Sequence, residues 1–133
     1  MIMRAAGTLA VLAALASPAF ATGEILCMHP AGASIHLLVG QASSLYVDRV
    51  SVIVGDEAWT THADMDPRGT RIAVGQTFAD DATLLVDVVD EDRASTIARL
   101  RVLYASEGDM RAGGGVLQVA GRGAWAVDCA ERE

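Results

Sequence analysis

Val116-Leu-Gln-Val-Ala-Gly-Arg-Gly-Ala-Trp-Ala-Val-Asp-Cys129 is the stretch that decides the fold. On either side of Gly121-Arg122-Gly123 the apolar residues alternate with small or polar ones, the period-2 pattern of half-buried strands around a glycine-bearing turn. A three-residue loop here predicts Val119 opposite Trp125 and Leu117 opposite Val127, with Gln118 and Asp128 on the other face. Cys129 carries the same parity as Trp125 and Val127 and therefore points inward.

The same test extends along the chain. A two-residue turn at Gly55-Asp56 predicts Val52 opposite Trp59 and Val54 opposite Glu57. A loop at Glu91-Asp92-Arg93 predicts Val86 opposite Ala98 and Leu84 opposite Leu100, leaving Asp87, Arg99 and Arg101 outside. A turn through Pro30-Ala31-Gly32 places Cys27 opposite Ile35 and Ile25 opposite Leu37, with His36 outward. Each hairpin keeps its apolar residues on one face. Strands are predicted near 24–29, 33–40, 45–54, 57–62, 70–75, 82–90, 96–105, 115–120 and 124–129, with no sustained helical period between them. Ala105 to Gly115 reads as the longest irregular loop, its three glycines allowing a bend.

The expected fold is all-β: a small antiparallel barrel of eight or nine short up-and-down strands, or a two-sheet sandwich. Cys27 and Cys129 are the only cysteines, and both fall on inward positions, so a disulfide joins the first strand to the last and is expected to be largely buried. That bridge favours the closed barrel. For a loop of this length, the chain-entropy model gives a stabilisation of roughly 4 to 5 kcal/mol.

Residues 1–21, with Arg4, an apolar run from Leu9 to Leu15 and Ala19-Phe20-Ala21, have the order of a secretory signal. Cleavage near Ala21 and a periplasmic or secreted address are expected. The apolar run falls short of the about 20 residues that cross a bilayer, so no membrane insertion of the mature chain is expected. Residues 22–133 then form a single all-β domain. Lys and Asn are absent from the sequence, a bias expected of a GC-rich bacterial genome.

The chain carries a net charge of −7. Without Arg4, nine arginines face seventeen carboxylates. Nucleic acid needs basic patches and is not expected as a partner; a basic protein suits this balance. The sequence assigns no oligomeric state.

Residue patterns that carry chemistry were tested by spacing. Asp64, Asp66 and Gly69 overlay the first, third and sixth positions of a calcium loop, but Arg68 stands where an oxygen ligand belongs and Gly75 where a bidentate Glu should close it. His29, His36 and His62 lack ligand spacing, even with Met28 as a soft donor. No metal, cofactor or catalytic residue is therefore nominated. Gly113-Gly114-Gly115 precedes a strand and has no phosphate-loop Lys or Ser, and the acidic run at Asp87–Asp92 reads as a solvated hairpin tip. The candidate contact surface is a pair of loops: His62, Asp64, Asp66 and Arg68 in one, and Glu107, Asp109 and Arg111 in the other. Trp59 and Trp125 read as core anchors.

In general plan the chain resembles the small β-barrel inhibitors of C-type lysozyme, on its size, acidity and the cysteine near each end. Their Ser-Gly-x-x-Tyr loop has no match here, so no inhibitory residue is carried over. The resemblance implies an exported, non-catalytic protein-binding or inhibitor-like module. The alternatives are a carrier holding a small apolar ligand inside a lipocalin-like barrel, and an enzyme whose site assembles from loops.

Overall fold

The computed structural model describes residues 21–41 and 44–132; the export signal expected at residues 1–21 lies outside them except for Ala21. Among the described residues the strands are β1 (Ala21–His29), β2 (Ala33–Gln41), β3 (Leu45–Val54), β4 (Glu57–Thr60), β5 (Thr70–Ala79), β6 (Thr83–Asp90), β7 (Thr96–Glu107), β8 (Met110–Val119) and β9 (Gly123–Arg132). They close in sequence order into a barrel, which removes the sandwich alternative. Alternation of apolar and polar residues is the cause: Ile35, Leu37, Val86, Val88, Leu100 and Leu117 are wholly inside. Each strand would leave that stripe in water unless the sheet curled around it.

Closure imposes a parity condition. Nine staves joined only by hairpins would leave the first and last running in the same direction, yet β1 and β9 pair antiparallel. One neighbouring pair must therefore be parallel, and it is β4 with β5, through Trp59↔Thr70 and Thr60↔Arg71. The barrel is mixed rather than purely up-and-down. Residues 61–69 are the crossover that returns the chain so that β5 can run alongside β4.

Two of the four hairpins keep the expected register: Cys27↔Ile35 with Ile25↔Leu37, and Val52↔Trp59 with Val54↔Glu57. The other two are displaced by two residues. Leu117 lies opposite Trp125 and Val119 opposite Gly123, because the turn is Ala120-Gly121-Arg122. Val86 lies opposite Leu100 and Leu84 opposite Val102: the turn is one residue longer than expected, closing from Asp90 to Ser95, and an irregularity at Val88/Val89 adds the second residue. A shift of two preserves the faces, so the inward set survives.

The largest correction concerns residues 105–115. This segment is not an irregular loop: β7 continues to Glu107 and β8 begins at Met110. The glycines serve close approach rather than bending. A Cβ at Gly113 would lie 2.3 Å from the Tyr104 ring, and one at Gly115 would lie 1.7 Å from the Arg101 carbonyl oxygen. Only glycine lets the strands meet there.

The disulfide joins Cys27 to Cys129, which face each other across the β1–β9 seam. Cys27 is fully buried and Cys129 partly so, packed on the core. Trp59 is buried as expected, whereas Trp125 is only half-buried against the core.

Candidate functional site

The barrel has two ends. The upper rim carries the start of β1, β3, β6 and β8 and the end of β2, β5, β7 and β9; the lower rim carries their other termini. The lower rim is laced with local bonds. His29 Nδ1 accepts the Ala31 N–H at 3.0 Å. Arg122 grips Glu57 with two contacts of 2.6 Å and sits over the Trp59 ring. That grip lowers the Glu57 carboxyl below the usual range and raises the Arg122 guanidinium.

The upper rim is less finished. On β7 and β8, Ala105↔Ala112, Ser106↔Arg111 and Glu107↔Met110 pair only with each other, since β6 pairing ends at Leu103 and β9 pairing begins at Gly113. They form a ribbon that projects past its neighbours, with Gly108-Asp109 at the tip. Met110, on this ribbon, is 79% exposed. Three of the expected contact residues, Glu107, Asp109 and Arg111, stand here, on a two-stranded ribbon instead of an irregular loop.

Inside the ribbon's base, Tyr104 lies over Gly113 with the Arg111 guanidinium 4.3 Å from its ring centroid. Arg111 also lies 3.7 Å from Glu131 and donates to the Asp81 carbonyl. The Tyr104 hydroxyl is buried without a hydrogen-bond partner among the described residues. Burial, together with the nearby Glu131 charge, pushes it up to about 12. The arrangement braces the ribbon against β9 and the β5–β6 turn.

The other expected contact group is used for closure. Thr60 is fully buried, and its Oγ1 donates to the His62 carbonyl and accepts the His62 N–H. His62 Nδ1 lies 2.8 Å from Thr61 Oγ1. Asp66 accepts the Arg68 N–H, forming a local turn. Asp64 is held by Arg49, which lowers its carboxyl from the ordinary value. His62 and Asp64 therefore tie the crossover to β4 and β3, while Asp66 and Arg68 shape its turn. The 62–69 segment is bonded to β3 and β4, and the ribbon's Arg111 to β9 and the β5–β6 turn, so the structure does not join the two groups into one site. Asp64 and Asp66 each have one carboxylate oxygen engaged within the protein. His36, on β2, faces Glu24 at 3.4 Å, whereas His62 lies in the crossover after β4. Among the described residues no group of three or more His, Cys, Asp or Glu is placed to share a metal ion.

Sequence reasoning missed the opening beside β4. β4 has four residues where β3 and β5 have ten. Among the described residues, Leu45–Arg49 of β3 pair only with β2, and Ile72–Ala79 of β5 pair only with β6. Between them lies a cleft of about 400 Å³, lined by Leu45, Val47, Thr77, Ala79 and Leu84 and flanked by exposed Tyr46 and Phe78. The missed signal is Thr77-Phe78-Ala79. It continues the alternation of β5, but Gly75-Gln76 interrupts the pattern at the irregularity between Val74 and Thr77.

Clefts of about 280 to 360 Å³ open elsewhere on the upper rim, against one of about 150 Å³ near the lower. Exposed apolar residues favour the same half: Tyr46, Phe78, Leu103 and Met110, against Met28 and Ile53 below. Phe78, Leu85, Arg101 and Val116 form one cross-strand row on the outer face leading away from the cleft. Asp87 accepts from Arg101 at 2.8 Å on that face, as the sequence pattern implied.

No protein-family model, curated protein or solved structure matches this chain. The likeness to the lysozyme inhibitors therefore rests on plan alone.

Proposed function

We propose that this chain is an exported, non-catalytic protein-binding module that engages a basic partner through its upper rim. The observation that carries the reading is coincidence: a braced projecting ribbon, exposed apolar side chains and a surplus of acid occur at one end of the barrel. Glu107, Asp109, Asp80 and Asp81 stand at that end, with Arg111 the one cation beside them on the ribbon. Such a mixture of apolar centre and charged surround suits a protein interface, with the charge guiding a basic partner in. The disulfide is compatible with an oxidising compartment, and the N-terminal signal pattern supports a periplasmic or secreted address. The carrier alternative is weakened because side chains occupy the barrel interior: Ile35, Leu37, Val50, Val86, Leu100 and Leu117 leave no exposed surface inside.

The test is affinity capture from the extracytoplasmic fraction of the source cell, using the disulfide-intact protein at low and high salt. A basic protein retained at low salt is expected. The triple variant Glu107→Gln, Asp109→Asn, Met110→Ser should lower its retention at least tenfold, while the lower-rim pair Met28→Ser, Ile53→Thr should not. Equal retention by both variants, or no retained protein, overturns the reading.

A further inference from the structure

The outer face of β6–β9 toward the upper rim breaks the rule that a sheet face turned to water is polar. Outward positions alternate with those of the core, so Leu103, Ala105, Ala112, Gly114, Val116 and Ala126 share this face on neighbouring strands. Leu103 is 70% exposed, with the bare backbone of Gly114 opposite it and Val116 diagonally across. The row from Phe78 through Leu85 and Arg101 to Val116 continues the surface to β5. Its cation, Arg101, is bound to Asp87. Carboxylates stand around the apolar patch: Asp81 after β5, Glu107 and Asp109 at the end of the ribbon, and Asp128 opposite Gly114. Among the described residues none of these four is in an ion pair. The barrel's mouth differs, because Arg111 there is already set against Glu131 and the Tyr104 ring.

From this geometry we infer that the outer wall, and not the mouth, is where the basic partner docks. The partner is a folded protein that lays an apolar patch on Leu103 and Val116 and directs Lys or Arg to Asp81, Glu107 and Asp128 around them. The inference rests on the reading of the chain as a protein-binding module and names its contact surface. Charge decides the occupant. A second copy on this face would bring two sets of four carboxylates together, with only Arg99, one row further down opposite Asp87, to answer them; a basic surface neutralises them. Size agrees. From β5 to β9 at about 4.8 Å per strand, and from Val116 to Met110 at about 3.4 Å per residue, the face measures about 400 Å². That is half of the roughly 800 Å² each partner contributes to a stable complex. A symmetric pair of such faces is too small for a stable dimer, whereas a larger partner gains the remainder on the ribbon.

The probe is a displayed library of a small three-helix scaffold with one face varied among Leu, Phe, Tyr, Lys and Arg, selected on the folded, disulfide-intact protein. A matched library carries Asp and Glu in place of Lys and Arg. Binders are expected from the basic library alone, with methyl cross-saturation at Leu103 and Val116. The double variant Leu103→Thr, Val116→Thr keeps β-branched residues at exposed positions and should weaken these binders at least tenfold. Asp128→Asn should weaken them about threefold at low salt and decides the matter if the double variant does not fold. Ile53→Thr at the lower rim should leave them unchanged. Equal yield from the acidic library, no binder from either, or cross-saturation confined to the mouth or the ribbon tip overturns the inference. Concentration-dependent dimerisation that shifts the Leu103 and Val116 methyl signals overturns it as well, assigning the face to a second copy. If the basic protein retained by affinity capture depends on the Glu107, Asp109, Met110 variant but not on Leu103, Val116 and Asp128, the outer wall is wrong and the upper-rim reading stands. Dependence on neither set overturns both.

Discussion

Cys27 and Cys129 stand directly opposite one another on β1 and β9, with Cα atoms 4.0 Å apart and a sequence separation of 102. The bond therefore staples the seam where the barrel closes, at positions the ladder already brings together. Four further residue pairs between Glu24↔Arg132 and Met28↔Asp128 hold the same seam besides the bridged one.

Replacing both cysteines by serine should lower stability by about 2–4 kcal/mol, mainly by freeing the unfolded chain, while the β-sheet circular dichroism spectrum stays the same. Urea denaturation of the oxidised protein and the variant measures the difference. An unchanged midpoint, or loss of the β spectrum, would contradict this account of the seam.

Gly113 and Gly115 are both required by close approach, but against different neighbours. Gly113→Ala would press on the Tyr104 ring, and Gly115→Ala on the Arg101 backbone oxygen. Each should cost about 1–3 kcal/mol. Tyr104→Ala should remove most of the added cost of Gly113→Ala and none of that of Gly115→Ala. A double-mutant cycle by chemical denaturation decides it; equal rescue of both glycine variants would show that the two sites share one cause.

Tyr104 titrates late, at about 12, because its hydroxyl is buried and near Glu131. Its ordinary value is about 10, so between pH 10 and 12 the native chain holds a proton that the unfolded chain has released. The contribution of the neutral phenol is thus complete below pH 10 and declines as pH rises through about 12. Tyr104→Phe should flatten this part of the stability–pH curve. At pH 7 it should match or slightly exceed the wild type in stability, since the hydroxyl it removes has no hydrogen-bond partner among the described residues.

Thr60 anchors the only parallel seam among the described residues through its bonds to His62. Thr60→Val keeps the shape and removes both bonds, leaving the His62 groups without that partner. A loss of about 1–3 kcal/mol is expected. Faster amide exchange should appear first in β4 and residues 61–69. Uniform acceleration over all strands would instead place the crossover inside the global unfolding unit.

Glu57 should titrate below the ordinary carboxylate range by carbon-detected NMR, and Arg122→Ala should return it there, since the Arg122 hydrogen bonds are the main cause. The folded value is depressed, so any stability from this exposed pair is present at neutral pH and fades as acid protonates Glu57. A Glu57 titration unaffected by Arg122→Ala would deny the pairing in solution.

The alternating apolar pattern of this chain determined, without any knowledge of contacts, that its strands have an inside and an outside, and that both cysteines belong to the inside. A register error of two at Leu117 and Val86 left those faces intact because side chains repeat every two residues. The strand list, the turns at Pro30-Ala31-Gly32 and Gly55-Asp56, and the Asp87–Arg101 grouping follow from the same local rule. Residues 105–115 resisted it. Glycine ordinarily marks loops, and only the ring of Tyr104 and the backbone of Arg101 explain why glycine is needed within β8.

Tertiary structure alone decided how the staves close. Nothing local distinguishes β4–β5 from another hairpin; the parallel pair is forced by an odd number of strands whose first and last members run antiparallel. The same closure cut β4 to four residues, drew His62, Asp64, Asp66 and Arg68 into a structural crossover, and left the cleft between Leu45–Val47 and Thr77–Ala79. Local periodicity sets which way each side chain points, but the directions and lengths of the strands around a closed ring are collective. For that reason the core could be read along the chain, and the opening in its wall could not.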